Sequence, residues 1–235
     1  MKKPTASELI SLTEQDYGYL KYCGEEAGRW LAEFQEPGTL EILNRISLAL
    51  AGLRLYDLKS GFELLDAAER DVRARAFRFP SIFHLVERYR VSTRAYLRYL
   101  NGELDGAKLD LSSAHEEIRT LIGLDGFLLP MAIQCADFVI QRARVARREN
   151  QWREAERHIR RIHEIFSGLR PLCVLDSGRA IGVSEIREFF SKLPLDEEQR
   201  LQADRFVGAH IPVATRVEYL EEMIFTLPDV VIPYP

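Results

Sequence analysis

Five histidines, His84, His115, His158, His163 and His210, and three cysteines, Cys23, Cys135 and Cys173, are the side chains of this chain best suited to acid–base, nucleophilic or metal chemistry. Their spacing does not assemble it. No HExxH run occurs. His158 and His163 are five apart, about 140° around a helix, and cannot converge on one ion. Glu154 and His158 are four apart and share a helical face. One carboxylate and one imidazole are nevertheless too few ligands, since a carboxylate-bridged dinuclear site takes Glu-x-x-His twice with two further Glu. They read as a surface pair. No nucleophile elbow, phosphate-binding loop or dinucleotide glycine pattern is present. Gly178-Arg179-Ala180-Ile181-Gly182 could aim N–H groups at an anion ahead of a helix, but as a plain turn it requires no ligand. The cysteines are odd in number, lack CxxC spacing and lie among apolar neighbours, so they read as small buried hydrophobes in a reducing cytoplasm. No catalytic residue, metal site or cofactor is expected.

Arginine is the stronger signal. Of 32 basic residues only six are lysine. Residues 134–170 carry nine arginines against five acids, between acidic ends: 4 basic and 8 acidic groups in 1–41, 6 and 11 in 171–235. The planar guanidinium suits bidentate capture of carboxylate or phosphate. A solvated helix face laced with i,i+4 pairs such as Glu149–Arg153 and Glu156–Arg160 is the plainer explanation. Nucleic acid needs a wide basic surface, which a chain of pI about 5.8 does not promise.

The elements that must carry these residues are helical. Pro37, Pro80, Pro130, Pro171 and Pro212 fall 43, 50, 41 and 41 residues apart, and each interval holds two helices and a turn. The periodicity predicts helices over 39–58 and 61–77, 81–100 and 104–122, 131–148 and 152–166, then 182–193, 196–207 and 213–225. A further hairpin, 7–22 with 25–34, precedes them. Ser60 with Glu63, and Asp196 with Gln199, have the spacing of capping boxes. Asn101-Gly102 and Glu149-Asn150-Gln151 mark turns.

Small residues recur at the places where paired helices cross: Ala143 and Ala155 in one hairpin, Ala95, Ala107 and Ala114 in the one before, with Trp152 opening a second helix. This pattern resembles the tetratricopeptide (TPR) repeat. It covers roughly 42–168, with Arg142 in place of the usual leucine, Arg98 in place of an aromatic, and a spacing from Ala107 to Ala155 of 48 residues, longer than the family's period of about 34. The resemblance implies stacked antiparallel hairpins whose first helices line a concave groove for an extended protein segment. The positions that would face it are Arg54 and Asp57 in the first hairpin, Tyr89, Ser92, Tyr96 and Tyr99 in the second, and Asp137, Ile140, Arg144, Arg147 and Arg148 in the third. Arg54, Tyr96, Tyr99, Arg144, Arg147 and Arg148 are the expected partner contacts.

A length of 235 residues, 46% of them hydrophobic, is ample for a large core. No apolar run is long enough to cross a membrane, and the first residues do not resemble a secretory signal. The expected fold is all-α: a helical extension over 1–37, the hairpin array over 38–170, a second helical extension over 171–226, and an extended proline-rich tail over 227–235. The tail is apolar and is expected to dock on its own domain, or on a partner or second copy. The expected function is a non-enzymatic, cytoplasmic adaptor or regulatory module that binds a protein or peptide with acidic groups. An all-helical enzyme with a pocket between helices stays open beside it.

Overall fold

The computed structural model of the protein describes residues 17–52 and 57–201, the side chains of 51 and 52 excepted. Arg54, most of the expected 7–22 helix, the 213–225 helix and the C-terminal tail lie outside the described residues.

A short 3-10 helix, Gly18–Tyr22, leads into helix α1, Glu25–Phe34. Glu25 and Glu26 in its first turn complement the positive end of the helix dipole. Its inner face buries Ala27, Trp30 and Phe34 at helical spacing. Trp30 stacks on Phe34 at 5.1 Å between centroids and Tyr17 meets Phe34 edge-on at 5.2 Å. Trp30 Nε1 donates to Ser81 Oγ at 2.8 Å, which fixes this aromatic cluster to the fourth helix.

Three hairpins follow. In the first, α2 (Pro37–Gly52) packs on α3 (Leu58–Ala74). In the second, α4 (Pro80–Asn101) and α5 (Leu104–Leu124) form the most extensive helix pair. In the third, α6 (Gln134–Arg148) packs on α7 (Trp152–Phe166). Pro37 and Pro80 open their helices at the first turn, where the missing N–H is not needed. Gly102, at φ +82°, closes α4 in the left-handed conformation that a side chain disfavours. Each helix from α2 to α7 packs on the next, and α2 also touches α4. At Gly61 of α3 a Cβ would lie 2.7 Å from Leu97 Cδ2, so α3 and α4 approach closely because that position is bare. Ala143 and Ala155 are fully buried, and Ala143 packs with Ile159 across α6 and α7.

Several sequence expectations change. The cap of α3 is Asp57, whose carboxylate accepts the Ser60 N–H at 3.1 Å. The helix starts three residues before the expected point, so Ser60 lies inside its first turn and supplies an orphan donor in place of a cap. Pro130 does not separate elements cleanly. It sits in a second 3-10 helix, Gly126–Ile133, whose residues 128–133 are all buried, and α6 starts at Gln134. The stretch after α7 is not wholly helical: Cys173–Val174 (β1) pairs antiparallel with Ala180–Ile181 (β2) across a turn at Gly178, φ +81°. Helix α8, Val183–Ser191, follows. The Asp196–Gln199 capping box forms as expected, each side chain meeting the other's backbone N–H at 2.9 Å.

The two ends of the described chain meet. The Tyr19 ring packs edge-on against Phe189 at 5.9 Å and Phe190 at 5.4 Å, and the Tyr19 hydroxyl donates to the Phe127 carbonyl at 3.1 Å. Gln199 Nε2 donates to the Tyr22 hydroxyl. One apolar core runs from Tyr17 to Leu195. Charges inside it are paired: Arg90 with Glu87 at 2.7 Å and Glu69 at 2.9 Å, and Asp110 with Arg94 at 2.7 Å and Arg98 at 3.1 Å. The described residues are predominantly helical, and no helix among them is long and apolar enough to cross a membrane.

Candidate functional site

Helix spacing on α4 sets one stripe of side chains. Ser92, Tyr96 and Tyr99 follow at intervals of four and three and so share a face. On α6, Gln141 and Arg144 do the same. The packing brings these two stripes together with Leu50 of α2 and Leu111 of α5 around a part-enclosed cleft of about 40 Å³. Thr93, Ala95 and Val145 complete its apolar walls. It is the space between the first helices of the three hairpins.

Arg144 is the one charged side chain of this lining, and it is only 8% exposed. Its Nη1 lies 3.5 Å from Gln141 Oε1, at the outer limit of a hydrogen bond. Tyr99 is buried at the rim, and Tyr96 is half-buried. Arg148 does not enter the cleft. Its guanidinium lies over the Tyr99 ring, 4.7 Å from the centroid, and its Nη1 donates to the Tyr99 carbonyl. It therefore clamps the end of α6 to the end of α4. Glu149 extends this clamp by pairing with Lys108 of α5 at 2.7 Å, a partner its i,i+4 spacing to Arg153 did not suggest.

The other expected groove residues scatter. Arg147 is half-buried and outside the cleft lining. Tyr89 lies near the middle of α4 and outside the cleft lining, its hydroxyl 2.7 Å from that of Tyr17. Asp57 caps α3. Of the six expected contacts, Tyr96, Tyr99 and Arg144 come together, Arg148 supports Tyr99 from behind, and Arg54 lies outside the described residues. Gln141 was missed, although its position one turn before Arg144 placed it on the same face.

Among the described residues of this lining there is no histidine or carboxylate; its ionisable groups are Arg144 and the hydroxyls of Tyr96 and Tyr99. His84 pairs with Glu117 at 2.6 Å on α5, and His158 faces Glu154 at 3.4 Å, as their spacing predicted. Among the described residues no three His, Cys, Asp or Glu side chains gather as metal ligands. The turn at Gly182 has its own occupant: the Gly182 N–H donates to Glu185 Oε2 at 2.8 Å, which with Ser184 holds that carboxyl below its usual range. Trp152 opens α7 but is 51% exposed and does not fill the hairpin. No protein-family model matches the chain, and neither a curated protein nor a solved structure matches it.

Proposed function

We propose that the protein is a non-enzymatic, TPR-like interaction module that holds a segment of another protein against α2, α4 and α6. The observation that carries this reading is the cleft itself: apolar walls, two tyrosines and one buried arginine in a single part-enclosed space between successive first helices. An apolar side chain of the ligand fills the cleft, and a neighbouring carboxylate meets Arg144. Tyrosine and arginine are the residue types that most often dominate such contacts. The lining stands on helices held in one pack, α2 against α4 and α6 against α5, so little ordering is needed on this side when the ligand docks. Arg148 acts as a positioning residue for Tyr99. The free thiols of Cys23, Cys135 and Cys173 support a reducing, cytoplasmic setting.

The test is to fill the space. Ser92→Trp places an indole where the ligand side chain would sit, on a half-buried position of α4. Affinity capture from the native cell with the wild-type chain, followed by binding of the recovered partner to purified Ser92→Trp, should show loss of binding with helicity and melting temperature retained. Undiminished binding by a folded Ser92→Trp protein overturns the assignment of the cleft.

A further inference from the structure

The positive charge of residues 134–170 does not all serve the cleft. A second concentration lies where α5, α6 and α7 meet. Arg142, on α6, reaches across to α5, where its Nη2 donates to Ser112 Oγ at 3.1 Å. One turn further along α5 stands His115. Its ring stacks on Phe138 at 6.1 Å, and its Nε2 is buried without a hydrogen-bond partner. On α7, His158 and Arg161, three residues apart, share a face, and the charges of Arg142 and Arg161 both act on the His115 and His158 rings. Arg161 Nε is also buried without a partner.

The acids nearby have other partners. Glu116 holds Arg119 through both carboxylate oxygens at 2.9 and 2.7 Å, and Arg119 also binds Asp176 at 2.7 Å. Glu154 holds Arg157 at 2.5 Å and stands 3.4 Å from His158. Glu116 attracts Arg142 from a distance, but Arg142 and Arg161 repel each other. Burial, and then Arg142, push His115 down to about 4, and burial lowers His158 as well. Both imidazoles are neutral at pH 7. The junction thus places two guanidinium groups, with an orphan N–H on one and an orphan ring nitrogen beside them, in a part-buried space whose acids are spoken for. Buried cations of this kind are costly unless an anion joins them.

We infer that the α5–α6–α7 junction is an oxyanion-binding site, in which Arg142, Arg161 and His115 converge on a tetrahedral phosphate-type group. Guanidinium forks suit two of its oxygens, and His115 Nε2 gives a third contact once it takes up a proton. The site does not depend on the cleft. A bound anion stabilises protonated His115, so binding and proton uptake are linked.

Sulfate is the cleaner probe, because its charge does not change across the range in which His115 titrates. Sodium sulfate is titrated calorimetrically into the full chain, with ionic strength held constant by chloride. Saturable binding is expected, tighter at pH 5.5 than at pH 7.5, with the His115 ring signals shifting in NMR spectra. Arg142→Gln and Arg161→Gln should each weaken it by about tenfold or more, while Ser92→Trp leaves it unchanged. Arg161→Lys, which keeps charge but loses the fork, should fall between. Inorganic phosphate and glycerol phosphate are then compared: tighter binding of the first indicates free phosphate as the natural ligand, and of the second an esterified one. A non-saturating response, or one equal in wild type and in folded Arg142→Gln and Arg161→Gln variants, overturns the site.

Discussion

Arg148 covers the ring of Tyr99 at 4.7 Å and donates to the carbonyl of the same residue, so one side chain fastens the end of α6 to the end of α4. The contact joins residues 49 positions apart and sets one wall of the cleft. Arg148→Ala should lower stability by about 1–2 kcal/mol, the combined scale of a cation–π contact and a charge-assisted hydrogen bond. Urea denaturation measures it. Arg148→Lys should lose less, and a full loss in the lysine variant would mean that the fork, not the charge over the ring, makes the clamp.

Asp110, 3% exposed, accepts from Arg94 Nε at 3.0 Å and Nη2 at 2.7 Å, with Arg98 at 3.1 Å on the other side. Asp110 also raises the Arg94 guanidinium above its ordinary value through that hydrogen bond. Asp110→Ala strands Arg94, while Arg98 keeps Glu103 at 3.8 Å and the Gly106 carbonyl at 3.3 Å, and should cost about 3 kcal/mol. Arg98→Ala leaves the Arg94 pair in place and should cost far less. Equal losses in equilibrium unfolding would contradict this ranking.

Capping distinguishes two neighbouring residues. Asp57→Ala should lower the melting temperature by destabilising the start of α3, because its carboxylate holds the Ser60 N–H. Ser60→Ala should be close to neutral. Thermal denaturation of the two variants side by side decides between them, and the reverse order would restore Ser60 as the cap.

Stability should fall in mild acid. The folded state holds His115 at about 4, against 6.5 for the free side chain, through burial first. The unfolded chain therefore binds this proton more readily. The penalty is absent above pH 6.5, grows as pH falls from 6.5 to 4, and reaches about 3 kcal/mol at most. His115→Gln should flatten that segment of the stability–pH curve, read by urea unfolding in chloride buffers. An unchanged slope would show that His115 is not desolvated in the folded protein.

The thiols should resist modification. Burial pushes Cys23 up to about 11; the hydrogen bond between Cys135 and Cys173, with burial, raises Cys135 and lowers Cys173, and burial at 0% and 5% exposure keeps both from reagent. All three should alkylate slowly in the folded protein and rapidly in denaturant, with mass spectrometry counting the adducts. Rapid native labelling of Cys135 would overturn this packing.

Local rules made much of this architecture legible. The bounds of α1 and α7, the Gly102 turn and the Asp196–Gln199 box follow from periodicity and cap chemistry within a few residues of chain. Ser92, Tyr96 and Tyr99 could be assigned to one face for the same reason. What the sequence left obscure is set by distant partners. Nothing near Arg148 announces the Tyr99 carbonyl, and nothing near Arg98 announces Asp110, which gives that charge a buried role where an aromatic was expected. The two-residue strands β1 and β2 are too short to leave an alternating pattern. Pro130 stops an α-helix but not a 3-10 turn, so it misplaced the start of α6.

The ring contacts of Tyr19 with Phe189 and Phe190 constrain the order in which the chain can be completed during synthesis. Each hairpin from α2 to α7 finds its partner soon after it leaves the ribosome. Tyr19 waits for residues made 170 positions later, roughly ten to thirty seconds at ordinary elongation rates. Tyr17 and Trp30 are anchored on α4 much earlier, through Tyr89 and Ser81, so the edge-on contacts of Tyr19 are the last of this aromatic cluster to close.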